Sequence, residues 1–317
     1  MPVEYTVLGP LAVWHDGRRV PLGSRKQRAV LAILMLRANE VVTPDALIDE
    51  LWGGQAPASA AHTLQVYVSR LRAALRASGA PDDVLVTRSS GYMLRIGFGE
   101  LDLDRFDRLA AEGRRALEAG SAERAAEKLA TALELWKGPA FADLAFEPFV
   151  QVDGERLAER RLVALEDRID ADLALGRHRD LAAELGSLVA RYPLRERLRG
   201  QLMLALYRAG RQADALATYR DAHEHLVVEL GLAPSRELQA LEQAVLRQDA
   251  SLDRLPARPE PPTEIPPLDS PPPEPVARAA PRGRRALFGG AAVVVLLLGV
   301  GALAAQRSGT RGNRLGV

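Results

Sequence analysis

The order of hydrophobic and polar positions divides the chain into zones of different character. Residues 1–97 mix short strand-like runs with helix-like periodicity, whereas residues 102–253 have helical periodicity throughout and are rich in Ala, Leu, Arg and Glu. Residues 256–281 contain 11 prolines in 26 positions, which no packed helix or sheet tolerates. Residues 286–305 contain no charged side chain in 20 positions. We therefore predict a first domain over 1–97, a helical domain over 102–253, a Pro-rich linker over 256–285, a transmembrane helix over 286–305 and a short basic tail over 306–317.

The apolar run over 286–305 has the length of a bilayer crossing. Twenty helical residues at about 1.5 Å each span ~30 Å, the thickness of the hydrocarbon core. Arg285 precedes the run and Arg307 follows it. A buried core helix is the alternative. However, the run follows the Pro-rich linker, and the sequence beside it predicts no further domain in which such a helix could be buried. Because no N-terminal signal peptide is present, we expect a single-pass protein of the cell membrane with residues 1–285 in the cytoplasm.

The first domain has clear turn and helix-start signals. The Asp16-Gly17 pair predicts a hairpin turn. Thr43 is a helix N-cap residue, and Pro44 suits the first helical position. The pattern predicts strands over 3–8 and 11–14, helices over about 25–37, 43–51 and 60–76, and a strand–turn–strand unit over 84–96.

The third predicted helix has a narrow apolar stripe and a polar face. Leu64, Val68, Leu71 and Leu75 recur at helical spacing and predict a buried stripe. A helix held in this way exposes groups that can bond to base edges and phosphates. The exposed groups are His62, Gln65, Val66 and Ser69 on the opposite face, flanked by Arg70, Arg72 and Arg76.

The strand–turn–strand unit adds a second basic element. Arg88 and Ser89 lie at its predicted tip, where a hairpin can contact a nucleic-acid backbone. Arginine on a solvent face alone usually marks only a solvated helix. Two short helices, a tight loop, a polar-faced helix and a basic hairpin together favour DNA contact.

The helical domain contains recurring glycine-led helix starts. These follow Gly120, Gly176 and Gly210, and the last two are 34 residues apart, the period of tetratricopeptide repeats. The first interval is 56 residues, so we expect an insertion or an extra helix there. Stacked helix pairs form a scaffold suited to protein contact.

Composition and charge exclude several function classes. The chain has no cysteine, which excludes disulfides and thiol catalysis, and it has neither an HExxH motif nor a phosphate loop. We predict no catalytic site, no metal site and no cofactor. Residues 1–97 hold 11 basic and 8 acidic groups, residues 98–255 hold 23 and 29, and residues 256–317 hold 8 and 4.

The motifs of the first domain resemble a known DNA-binding module. The strings HTLQVYVSRLRAAL and VTRSSGYMLRI resemble the recognition helix and the wing of OmpR/PhoB-type winged helices. Together with LIDELWG, they are similar to the SARP/AfsR group of bacterial transcriptional activators. The resemblance implies groove or phosphate contacts by Thr63, Gln65, Ser69, Arg70 and Arg72, and wing contacts by Arg88 and Ser89.

The helical zone resembles the bacterial transcriptional activator domain of the same group. Long strings carry the likeness, among them ALELWKGPAFADL and YPLRERLRGQLMLALYRAGRQADALATY. The fold class expected is mainly α: a winged helix-turn-helix (α+β) domain, then an all-α tetratricopeptide-like domain. The resemblance implies a sequence-specific regulator that binds direct repeats of double-stranded DNA as a homodimer, contacts RNA polymerase and activates transcription.

Two other function classes are considered. A membrane-anchored scaffold with a degenerate DNA-binding domain remains an alternative, although the polar face at Gln65, Ser69 and Arg72 argues against it. An enzyme is disfavoured because the sequence contains no recognisable nucleophile–base pair or carboxylate dyad. The net charge of +3 over residues 1–97 predicts modest non-specific affinity, so binding to paired half-sites would be needed.

Overall fold

The computed structural model describes residues 3–253 of the chain. The predicted linker, membrane segment 286–305 and basic tail lie outside the described residues. Within residues 3–253, no helix combines the length and the apolarity that a bilayer crossing requires.

The N-terminal part consists of a small sheet, three helices and a hairpin. Strands β1 to β3 form an antiparallel sheet in sequence order, and β4 pairs with β5 in a second sheet. These elements are β1 (Val3–Thr6), β2 (Ala12–His15), β3 (Arg18–Arg19), α1 (Arg25–Leu36), α2 (Pro44–Trp52), α3 (Ala60–Ala77), β4 (Leu85–Arg88) and β5 (Gly91–Leu94).

Local side chains explain where these elements begin and end. The Ser24 side chain accepts from the Gln27 N–H, and the Gln27 side chain accepts from the Ser24 N–H, which starts α1 with a capping box. Thr43 accepts from the Ala46 N–H and starts α2 as predicted. Asp16 and Gly17 both have positive φ, as the predicted hairpin turn requires.

Helices make up the rest of the described chain. Positive-φ glycines at 120, 176 and 210 lie between the helices of successive pairs, α4/α5, α6/α7 and α8/α9. The 56-residue interval contains a loop with a 3-10 turn (Ala142–Leu144) and the 27-residue helix α6. The helices are α4 (Asp102–Glu118), α5 (Ala122–Glu134), α6 (Pro148–Ala174), α7 (His178–Arg191), α8 (Glu196–Arg208), α9 (Gln212–His223, continued by a π-helical turn, Glu224–Glu229) and α10 (Arg236–Arg247).

The N-terminal elements and the first helices share one hydrophobic core. This core runs from Val3 through α1, α2 and α3 to Phe106 of α4, Leu129 of α5 and Ala171 of α6. A second core begins at Leu162 of α6 and contains buried residues of α7 to α10. Helix α6 therefore contributes to both cores and joins the two halves of the molecule.

Asp102 ties the first strand to the start of α4. Its carboxylate accepts the N–H groups of Val7 (2.9 Å) and Leu8 (3.0 Å), so these two residues leave the strand that the sequence predicts over 3–8. Burial raises the pKa of Asp102 to about 6, although its bonds from the Leu8 and Val7 N–H groups act in the opposite direction.

The loop before α6 runs along the N-terminal sheet. Its Asp143 carboxylate accepts the Leu11 N–H at 2.7 Å. Buried Glu147 forms ion pairs with two cations of α1, Arg25 (2.7 Å) and Lys26 (2.9 Å). Three backbone bonds complete the junction: Lys137 N–H to Leu8 O (2.7 Å), Phe141 N–H to Val7 O (3.0 Å) and Ala142 N–H to Gly9 O (3.2 Å).

Candidate nucleic-acid interface

Helix α3 is held on the protein by the predicted apolar stripe. Leu64, Val68, Leu71 and Leu75 are buried in the first core, where α3 packs against α1 and α2. No other residue of α3 except Ala60, at its first position, is fully buried. The opposite face of the helix is therefore presented outward along its whole length.

The predicted polar face lies on the surface. His62, Gln65, Ser69 and Arg70 are exposed, and Thr63 is half-buried. Ala73 is also exposed and lies close to the centre of this face, where its small side chain would let the helix backbone approach a groove closely. The helical spacing could have identified Ala73, because it lies about 180° from the stripe.

Arg72 links α3 to the β4–β5 hairpin, which we call the wing. Its Nε donates to the Leu85 carbonyl at 2.8 Å, and its Nη2 donates to the Thr87 hydroxyl at 2.7 Å. The sequence predicts Arg72 as a groove or phosphate contact, and in the structure these two nitrogens have partners within the protein. Their role here is to fix the wing beside α3.

Arg76 also has a partner within the chain. Its Nε lies 2.7 Å from a carboxylate oxygen of Asp82, and both side chains are mostly exposed. An exposed pair of this kind contributes little to stability and opens readily. Arg70 differs, because no side chain within residues 3–253 forms an ion pair with it.

The tip of the wing is basic and exposed. Arg88 and Ser89 are both exposed there, and Arg88 makes no ion pair with any described residue. Close to this tip, the wing is fixed by backbone bonds in both directions between Val42 and Tyr92, at 2.8 and 2.9 Å. The free arginine therefore stands at the end of a well-anchored hairpin.

Gly91 makes this attachment possible. A Cβ atom at position 91 would lie 2.0 Å from the Val42 carbonyl oxygen, far inside van der Waals contact. The glycine in the string SSGYM is therefore needed for packing as well as for the turn.

Helix α3 and the wing together form one surface. The wing lies on the flank of α3 that carries Arg72, and helical spacing places Gln65 and Ser69 toward the same side. Arg70 lies on the other flank. This surface offers amide and hydroxyl groups near its centre and free guanidinium groups at its edges, which suits a duplex with negatively charged backbones.

Comparison with known proteins identifies the family of the chain. The family described as "Bacterial transcriptional activator domain" matches residues 101–246, and "Transcriptional regulatory protein, C terminal" matches residues 17–94. The regulatory protein DnrI of Streptomyces peucetius is 43% identical over 258 residues, which are 80% of this chain and 95% of DnrI. The chain belongs to this family of bacterial transcriptional regulators. Its expected SARP/AfsR-type character and its lack of enzymatic function are thereby confirmed.

Other relatives are longer than this regulator. AfsR of Streptomyces coelicolor is 44% identical over 256 residues, which cover 80% of the regulator but only 25% of AfsR. The solved structure of Mycobacterium tuberculosis EmbR in complex with a low affinity phosphopeptide aligns with a TM-score of 0.75 at 39% identity, covering 78% of the regulator and 65% of EmbR. This likeness confirms a mainly helical fold with an N-terminal winged helix-turn-helix and a helical domain.

Proposed function

We propose that α3 lies in the major groove of promoter DNA, where Gln65 and Ser69 contact bases and Arg70 contacts a phosphate. Arg88 and Ser89 at the wing contact the adjacent backbone or minor groove, and His62, Thr63 and Arg76 lie at the edges of the interface. The observation that carries this proposal is the exposed polar face of α3 beside the wing that Arg72 fixes.

The charge distribution supports an arrangement in which the N-terminal domain, and not the helical domain, faces DNA. Residues 1–97 have a net charge of +3, and residues 98–255 have a net charge of −6. DNA is therefore attracted to the N-terminal domain and repelled by the helical domain, which leaves the latter for protein contacts. On this proposal, two copies bind direct repeats as a homodimer, and the helical domain contacts RNA polymerase and activates transcription.

Selection from a randomised duplex library by the full-length chain tests the DNA contacts. Gln65→Ala should change the enriched sequence, because an amide that bonds a base edge contributes about 1–3 kcal/mol of discrimination. Arg88→Gln should weaken binding to all sequences. The dependence of the binding constant on salt concentration should then correspond to about one phosphate contact fewer. Arg124→Gln on the exposed face of α5 is the matched control and should change neither. An unchanged consensus and affinity in both test variants would refute the proposed interface.

We further propose that residues 286–305 tether the regulator to the cell membrane, with residues 1–285 in the cytoplasm. The support is the sequence itself, which has an uncharged run of 20 residues between arginines, preceded by the Pro-rich linker. Fractionation of the full-length chain against a version that ends at Pro281 tests the tether. The full-length chain should sediment with membranes, and the shortened chain should not; equal solubility would reject the tether and leave the DNA-binding proposal intact.

A further inference from the structure

A cavity lies where the N-terminal sheet meets the helical domain. It measures about 530 Å³, within the range of small-molecule sites. One wall comes from the β1–β2 hairpin and includes Leu8, Pro10 and the ring of Trp14. The other wall comes from α4, α5 and the start of the following loop, and includes Leu135. The cavity is therefore mostly apolar and lies between the N-terminal sheet and the first helices of the helical domain.

Three cationic side chains from separate elements line this cavity. They are Arg19 of β3, Arg105 of α4 and Lys137 after α5. None of the three makes an ion pair with any residue among 3–253, although many other arginines of this region do. The Nε of Arg105 is buried and has no hydrogen-bond partner among the described residues. Burying a guanidinium N–H without a partner is costly, so the site lacks an acceptor.

Two carboxylates also line the cavity, and neither supplies that acceptor. The oxygens of Asp102 already accept the N–H groups of Val7 and Leu8, at 2.9 and 3.0 Å. Glu134 is exposed and forms no ion pair with the three cations. The cavity thus keeps an excess of one positive charge around an apolar interior.

Trp14 provides a flat wall. The indole is 37% exposed and lines the open cavity. An aromatic ring placed against it would stack and bury apolar surface, while a terminal acid group would meet the cations.

We propose that this cavity binds a small, flat, apolar molecule that carries one acidic group, with its ring against Trp14 and its acid near Arg105 and Lys137. The site is separate from α3 and the wing, so the inference goes beyond the DNA-binding function and does not depend on it. An occupant would contact both the sheet and helices α4 and α5, and it would stabilise their junction.

Two fluorescent probes that differ in the acid group alone test the site. The probes are 8-anilinonaphthalene-1-sulfonate and its uncharged parent, N-phenyl-1-naphthylamine, each titrated into the full-length chain. The sulfonate should bind saturably with a Kd on the order of 10–100 µM, as expected for a ligand of its size. The uncharged parent should bind about tenfold more weakly, because it forms no charge-assisted hydrogen bond.

Substitutions locate the binding and provide controls. Arg105→Gln should weaken sulfonate binding about tenfold and Lys137→Gln roughly threefold, with little change for the uncharged probe. Trp14→Ala should weaken both probes, since it removes the wall. Arg124→Gln, on the same helix as Glu134 but outside the cavity, should change neither. Thermal melting of each variant verifies folding, and Lys137→Gln, at an exposed position, keeps the test available if another variant unfolds.

Three results would overturn the inference. Equal affinity for the two probes would show that the cations do not select an anion. A loss of sulfonate binding in Arg124→Gln as large as in Lys137→Gln would place the probe elsewhere. The absence of saturable sulfonate binding would show that the cavity does not hold an acidic aromatic molecule.

Discussion

Arg70 and Arg72 lie two positions apart on one helix and have different surroundings. Arg72 is half-buried and bonded to the wing through Leu85 and Thr87. Arg70 is exposed and makes no ion pair within the described part of the chain. In the sequence, both are basic residues beside a polar face. Their surroundings in the structure show that Arg72 makes a structural contact, whereas Arg70 is available to DNA.

Replacing each arginine should separate stability from DNA binding. Arg72→Ala should lower the free energy of unfolding by about 1–2 kcal/mol, because it leaves the Leu85 carbonyl without its charged donor. Arg70→Ala should change it by less than about 0.5 kcal/mol while weakening DNA binding at low salt. Urea unfolding and DNA titration of both variants measure these effects. Equal stability losses would contradict the assignment.

The buried carboxyl of Asp102 gives the stability a characteristic pH dependence. Its pKa in the folded protein is raised to about 6 by burial. Between the ordinary aspartate pKa of about 3.9 and the raised value, the folded state holds a proton that the unfolded state has released. This contribution is fully present below about pH 4 and is lost as the pH rises through about 6.

Comparison with Asp102→Asn isolates that contribution, because asparagine does not titrate. From pH 7 down to pH 4, the wild-type chain should gain about 2 kcal/mol of unfolding free energy relative to the variant. Urea unfolding at a series of pH values measures the difference. A difference that does not vary over this range would contradict the raised pKa.

At the level of elements, packing requires the glycine in the wing but not the glycine in α7. Gly91 has no room for a Cβ, because the Val42 carbonyl lies within 2.0 Å of its ideal position. Gly186 lies on the exposed side of α7, and no atom of another described segment lies within 4 Å of a Cβ placed there. Identical substitutions at the two positions should therefore have effects of opposite sign.

Gly91→Ala should destabilise the protein by about 1–3 kcal/mol and weaken DNA binding, since it forces β5 away from its anchor. Gly186→Ala should stabilise it by about 0.5–1 kcal/mol through helix propensity. Differential scanning calorimetry of the two variants provides the comparison. An unchanged melting temperature in Gly91→Ala would indicate that the wing can shift without cost.

The elements with strong local signals are those that the sequence predicts well. Thr43 and Pro44 mark the start of α2, and the stripe from Leu64 to Leu75 identifies the buried side of α3. Gly120, Gly176 and Gly210 mark helix boundaries through their positive φ. In each case the physical cause lies within a few residues of the element it determines.

The contacts between distant segments could not be predicted in this way. The bonds from Arg72 to the wing and from Asp102 to Val7 join residues 13 and 95 positions apart. The loop before α6 joins the sheet mainly through backbone groups, which leave no pattern in the sequence. For the same reason, the cavity beside Trp14 becomes visible only in three dimensions.

At the scale of the whole molecule, Glu147 ties the start of α6 to helix α1 of the N-terminal domain. It is almost fully buried and pairs with Arg25 and Lys26 of α1, while its own position immediately precedes α6. Lys26 also donates to the Leu51 carbonyl at 2.5 Å, so the same cluster reaches the end of α2.

Glu147→Gln should lower the free energy of unfolding by about 2–3 kcal/mol, because it removes the charge that two partly buried cations share. Glu155→Gln, at an exposed position on α6, is the matched control and should cost less than about 0.5 kcal/mol. Guanidinium unfolding compares the two variants, and similar midpoints for both would argue against the role of Glu147.

The shared first core also matters for anyone who wishes to graft this DNA reader onto another effector. Leu101, Phe106 and Phe141 cover apolar side chains of the N-terminal elements. A chimera cut after residue 97 would leave that surface bare and prone to aggregate, even with helix α3 intact. A transplantable piece must therefore extend beyond residue 97, because α4, α5 and α6 cover the apolar side chains of the N-terminal elements.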